Sequence, residues 1–459
     1  MPGVSQLFES HSLKVMVAAG ALLCLASASQ AEPVDTAFSG SAKETYPIDL
    51  PTVLQLAGAQ NLDVQLAREK LAEARALHQS ALLQFFPWLT VGASYSRHDG
   101  QIQGTEGEIV TVSRQAYAPV ATLTGQWELG EAIYRRLAAK QVERAADFAL
   151  EAQRQASITS SAQGYFELVL AQAAVGVAKE AVRIAAGYEA QVRSAVEAGI
   201  AFKGDELRVS VQAERNRLAL RQAAERQRVA AARLAETLHL DPSVELVARD
   251  ADLTPLELIL PDASLESLVQ QALLAAPEPK QAESLLEAAY QNRNGAVYGP
   301  WVPSLGAAVY LGGFGGGRNG DTGDFGDRED YFIGLGWRIG QGGIFDFPRQ
   351  HAAEARLTSA KHSLDKARDE IVRRVVEAFT RLQSQAEQID MARSGLTAAE
   401  QGLSLAQQRQ EFGVGIVLEN ILAEQDLTRT RNDYLGAIAE FNNAQYGVLD
   451  AIGSVPLAP

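Results

Sequence analysis

The feature that most constrains this chain is that it is written twice. Gly199, Asp205, Arg217, Ala223 and Ala230 recur as Gly413, Glu419, Arg431, Ala437 and Ala444, at a constant spacing of 214 residues. Tyr165 and Ala178 map onto Phe379 and Ala392 at the same spacing, and Ala67 and Leu71 onto Ala282 and Leu286 one residue further apart. Each copy therefore encodes one architectural unit, and the function belongs to an assembly of like elements. The boundaries expected from the pattern are repeat 1 at 48–259 and repeat 2 at 260–455.

The first thirty residues read as a targeting segment rather than fold. Lys14 precedes an apolar run from Val15 to Ala26, and Ser29-Gln30-Ala31 has the small-x-small form of a signal-peptidase site, which predicts a signal peptide at 1–31 and an N-terminal extension at 32–47. The run is about a dozen residues, whereas a membrane span needs about twenty. The only cysteine, Cys24, lies inside this segment after Ala21-Leu22-Leu23, a poor match to a lipoprotein signal. The mature chain is then free of cysteine, which suits an oxidising compartment without disulfides. A net charge of −15 argues against a nucleic-acid partner, because neutralising phosphates takes an excess of Lys and Arg. No later stretch reaches about eighteen apolar residues, so any membrane crossing must be made by β-strands.

Within each copy the order of signals is the same. A helical region is expected at 51–84 and again at 264–298, each stopped by proline, in Phe85-Phe86-Pro87-Trp88 and in Pro300-Trp301-Val302-Pro303. Beyond the prolines the apolar period changes from 3.6 to 2. Leu89, Val91, Ala93 and Tyr95 alternate with small or polar residues, as do Tyr331, Ile333, Leu335, Trp337 and Ile339, predicting strands at 88–97, 116–129, 304–314 and 330–340. Ten residues or so is the length of a tilted transmembrane strand, with Trp88, Tyr95, Trp127, Tyr331 and Trp337 as candidate anchors at the membrane interfaces. A soluble hairpin packed on helices fits the same alternation. Four strands cannot close a barrel around a pore, so strands in lipid would require oligomerisation to satisfy their edges.

Next come the longest helical stretches, in hairpins expected at 132–240 and 349–452. Neither Ile133 to Glu197 nor Arg349 to Glu411 contains a proline, and some 65 helical residues extend about 100 Å. Each rod breaks at glycine, in Ala198-Gly199-Ile200 and in Phe412-Gly413-Val414-Gly415, before a second helix with Ala-rich, coiled-coil-like spacing. A soluble coiled-coil scaffold that binds partner helices is the alternative reading of these rods.

The combination of a signal sequence, a double copy, paired Pro-strand starts and Gly-centred hairpin turns resembles the TolC-like outer-membrane efflux protein family over residues 48–455. The resemblance implies a mainly α fold with a small β part, in which long helical hairpins form a periplasmic α-barrel. Four strands per chain would then enter a twelve-stranded outer-membrane β-barrel made by a homotrimer. It implies a passive duct that receives cargo from an inner-membrane transporter through a periplasmic adaptor, in efflux or in type I secretion. Gly199, Arg409, Phe412, Gly413, Val414 and Gly415 fall at the hairpin tips that meet the adaptor, and Asp205 and Glu419 near the periplasmic constriction. Carboxylates converging from three chains would repel one another and select cations, while acids are also favoured in any first helical turn. Leu422 and Gly415 stand where the family has a second acid and a gate arginine, so the same latch does not follow.

No catalytic, metal or cofactor site is expected. The Asp-rich loop Gly320–Asp327 lacks EF-hand spacing, His78, His98, His239, His351 and His362 form no i,i+4 ligand pair, and no nucleophile elbow, Walker loop or dinucleotide fingerprint is present.

Overall fold

A computed structural model describes residues 45–241, 244–249, 253–260, 263–318, 323, 325–412 and 414–455. The expected signal peptide and nearly all of the N-terminal extension lie outside these residues, as do Gly413 and half of the Asp-rich loop.

The described residues begin with β1 (Thr45–Ile48), α1 (Leu50–Gln60) and α2 (Leu62–Leu83), continue through β2 (Trp88–Gln103) and β3 (Ile109–Trp127), and enter the long hairpin α3 (Leu129–Glu197) and α4 (Lys203–Thr237). After β4 (Glu245–Ala248) the order recurs as α5 (Leu265–Ala275), α6 (Pro277–Tyr298), β5 (Ser304–Arg318), β6 (Phe325–Gly336), α7 (Phe347–Glu411) and α8 (Val417–Ala451). At 69 and 65 residues, α3 and α7 extend about 100 Å each. No helix among the described residues is long and apolar enough to cross a membrane.

The helical regions preceding the strands are each broken once, where the sequence pattern suggested continuity. Asn61 leaves helical geometry and its side chain accepts from the backbone N–H groups of Asp63 and Val64, so it ends α1 and caps α2. Ala276 does the equivalent between α5 and α6, because Pro277 at the first position of α6 forces its predecessor into extended backbone.

The main core sits at mid-height on the rods. Ile158, Leu168, Leu234, Ile371 and Val375, all fully or nearly fully buried, meet Val53 of α1, Ala272 of α5 and the strand residues Ile48 and Leu246. β1 and β4 pair in parallel here, an element with no sequence signature. Side-chain amides, those of Asn442 and Gln445 buried, hold the connector between the copies. Gln172 exchanges two hydrogen bonds with the backbone of Ala248, Asn442 does so with Leu256 and Thr254, and Gln445 accepts from Leu258 and Ile259. Away from this belt the helices touch along narrow seams such as Val175, Ala178 and Ala223.

The other sheet has four antiparallel strands in the order β2-β3-β5-β6. The strands are longer than the alternation suggested at their loop ends: β2 reaches Gln103, β3 starts at Ile109, β5 runs to Arg318 and β6 starts at Phe325. β6 also stops at Gly336, so Trp337 and Ile339 lie past it. Pro119 sits inside β3 and is paired to β2, while the β3–β5 ladder skips Ala118 and Pro119, as expected where a donor is missing.

Candidate functional site: a strand surface and two hairpin tips

Register across the four strands sorts the side chains onto two faces. One face carries the rows Leu89-Leu123-Val309-Tyr331 and Val91-Ala121-Leu311-Glu329. The other carries Thr90-Thr122-Tyr310-Asp330. The apolar face is bounded at its loop end by Tyr95, Tyr117 and Phe325 in one row, the last two stacked with ring centroids 5.8 Å apart across Gly315. Gly315 is required there, since a Cβ would lie 2.6 Å from the Tyr117 ring. Its other end carries Trp127 in the row of Leu305 and Leu335. Leu89, Val91, Ile333 and Leu335 are exposed, so nothing among the described residues covers this apolar surface. Neither β2 nor β6 has a second strand neighbour among the described residues.

The five anchor candidates therefore part company. Tyr95 and Trp127 close opposite ends of the apolar face. Tyr331 falls within the face, in the Leu123 row, with its hydroxyl 3.1 Å from Glu329. Trp88 shares a row with Thr124 on the opposite face. Trp127 and Trp337 instead share a structural task. The indole N–H of each donates to a backbone carbonyl at the end of the preceding helical segment, Phe85 at 2.9 Å and Trp301 at 3.2 Å, which pins strand to helix in both copies.

At the far end of the rods the two turns are closed by the same backbone bonds. Ile200 and Ala201 donate to the carbonyl of Ala195, and Val414 and Gly415 donate to that of Arg409. Asp205 N–H donates to Phe202 and Glu419 N–H to Ile416. Gly199 has φ of +75°, which explains glycine there. The tips expose apolar side chains, with Ile200 and Phe202 82% exposed and Phe412 81%, Val414 67% and Ile416 65%. Behind them a small shared core of Val192, Val209 and Ile421 packs the two hairpins together.

Both acids sit in the first turn of the second helix of their hairpin, and each is ion-paired within the chain. Asp205 meets Arg208 at 3.1 Å, three residues on, whereas Glu419 meets Arg409 at 3.3 Å across the turn. Arg409, expected as a docking residue, thus also pairs with Glu419 while its side chain stays more than half exposed. A group that residue patterns did not reveal lies about a turn and a half further along α8: Glu424 is only 4% exposed and accepts from Asn216 at 2.8 Å. Its helical spacing gives no hint of burial, which arises because hairpin one packs over it.

Residues 268–454 match the family model described as "Outer membrane efflux protein". The matched stretch lies within the second of the two copies. The chain's fold is that of solved outer-membrane channels: CmeC of Campylobacter jejuni superposes with a TM-score of 0.75 at 17% identity, covering 91% of this chain and 90% of that one. VceC of Vibrio cholerae gives 0.73 at 16%, covering 88% and 96%. The open state of the MtrE outer-membrane channel of Neisseria gonorrhoeae gives 0.68 at 17%, covering 88% of each chain. No curated protein matches the chain at the level of sequence. The fold is thus that of outer-membrane channels, and the likeness to outer membrane efflux proteins in sequence rests on the second copy.

Proposed function

We propose that three copies of this chain join their sheets edge to edge into a twelve-stranded barrel, and that the rods enclose a periplasmic duct. Substrates delivered by an inner-membrane transporter through a periplasmic adaptor would leave passively through it, in efflux or type I secretion. The sheet carries this reading: an apolar face exposed to the surroundings, a polar face behind it and two unpaired edges are unstable in water and unstable alone in lipid. Closure by identical neighbours removes both problems at once, since β6 of one chain can pair β2 of the next. Residues 1–31 would direct export. The exposed tips, Ile200 and Phe202 in one hairpin and Phe412, Val414 and Ile416 in the other, would dock the adaptor. Asp205 and Glu419 would line the narrow end of the duct, their paired arginines setting how much negative charge faces the opening. Native mass spectrometry of the protein extracted in detergent should give a trimer that co-purifies with an adaptor; a stable monomer that needs no detergent would overturn the proposal.

A further inference from the structure

A cavity of about 580 Å³ lies between α3, α7 and α8, bordered by Gly187 and Tyr188 on one side, Leu403 and Gln410 on another, and Asn420 and Glu424 on α8. It is lined by two buried oxygen acceptors, one without a pairing cation and one without a donor. Glu424 has Asn216 as its hydrogen-bond donor, and no Lys or Arg pairs with it among the described residues. Burial pushes its carboxyl up, the usual response of an acid removed from water without a cation. Asn420, one helical turn earlier and 5% exposed, directs its amide N–H₂ toward Gln410 and Tyr188, which leaves its Oδ1 buried without a hydrogen-bond partner. Arg183, the cation among the lining residues, is engaged through both Nε and Nη2 by Glu180.

A proton on Glu424 alone would remove the charge but leave the Asn420 oxygen bare, at the cost of an unmet buried acceptor. A group that brings positive charge and several N–H donors answers both needs. We propose that this cavity binds a primary ammonium cation, its N–H groups donating to Glu424 and Asn420. The carbon body would lie along Leu403 and beside Gly187, where even an added Cβ would meet nothing within 4 Å. The Tyr188 ring adds an aromatic wall of the kind that favours cations. An occupant here touches α3 of one hairpin and α7 and α8 of the other, so it would bind the two hairpins together.

The test is calorimetric titration of the full-length protein in detergent with n-butylammonium chloride at neutral pH. Saturable binding is expected, weakened about tenfold or more in Glu424→Gln through loss of a charged hydrogen bond. Gly187→Leu, which keeps the acid and fills the space, should also abolish it, with unchanged thermal unfolding reporting an intact fold. Tetramethylammonium, which has the charge but no N–H, should bind far more weakly, and butanol not at all. Equal binding by wild type and both variants, equal binding of butanol, or no saturable butylammonium binding to wild type would each overturn the proposal.

Discussion

The two hairpin tips share a turn but not a way of neutralising it. Position 205 keeps an acid at 419, yet the arginine that meets it comes from opposite sides. Tip one uses Arg208, whose counterpart is Leu422, while tip two uses Arg409, whose counterpart is Ala195. At tip one the rods are joined by half-exposed arginines reaching largely shielded glutamates, Arg193 to Glu206 at 3.9 Å and Arg217 to Glu189 at 3.8 Å. At tip two the position of Glu206 is the buried Asn420, and the acid of that region has moved inward to Glu424. A loop-closing hydrogen-bond scheme is thus the invariant part, and charge placement is free to diverge around it. The difference has a physical consequence. Tip one is held by ion pairs whose arginines remain open to solvent and salt, and tip two by a cross-turn pair above a buried polar cluster.

Four perturbations would break or sharpen this contrast, in descending order of effect. If both acids line the constriction, Asp205→Ala combined with Glu419→Ala should weaken block by multivalent cations about tenfold or more, with each single variant contributing, because a ring of carboxylates acts collectively. A block carried wholly by one copy would mean that only one tip reaches the pore. Next, Gly415→Val should destabilise tip two by about 1–3 kcal/mol, whereas Ala201→Val at the matching position should be mild. A Cβ on Gly415 would lie 2.8 Å from the Gln410 nitrogen, while position 201 already carries one. Hydrogen exchange at the two turns would measure the difference, and equal protection in both variants would erase the contrast.

Third, the buried acid gives tip two a pH signature. Its folded pKa is raised, so its contribution to stability is complete below the unfolded carboxylate range and is lost as pH climbs through the folded value. In amine-free buffer the stability advantage of wild type over Glu424→Gln should therefore shrink as pH rises above about 4.3, with a limiting slope of about 1.4 kcal/mol per pH unit. Parallel thermal-unfolding profiles for the two proteins would contradict the buried placement. Smallest of all, Arg409→Ala should cost about 0.5 kcal/mol and loosen the turn, and Arg208→Ala about the same or less with no effect across the turn, since exposed pairs are weak. A double-mutant cycle with the respective acids would register both.

Much of this architecture was legible in the residues because it depends on local chemistry. Proline stops at Pro87 and Pro303, alternation in β2 and β6, and glycine at 199 are each short-range signals. The parallel pairing of Thr45–Ile48 with Glu245–Ala248 was not, because two four-residue strands 200 positions apart carry no period. The breaks at Asn61 and Ala276 hide in otherwise helical composition, one resting on a side-chain cap and the other on a following proline. Trp88 looked like Trp127, yet strand register puts it on the polar face, and register is fixed only once the partners are known. At the tips, sequence spacing located Asp205 and Glu419 but could not show their arginines, since Arg409 reaches Glu419 only after the turn has closed. Glu424 was invisible for the same reason on a larger scale: its burial depends on a second hairpin.

Conductance of the purified protein in planar lipid bilayers tests the central claim most directly. Discrete, long-lived channels are expected, with a conductance that scales with trimer content and loses its multivalent-cation block when Asp205 and Glu419 are replaced. A preparation that folds, forms its rods and reaches the bilayer yet passes no current would contradict the duct.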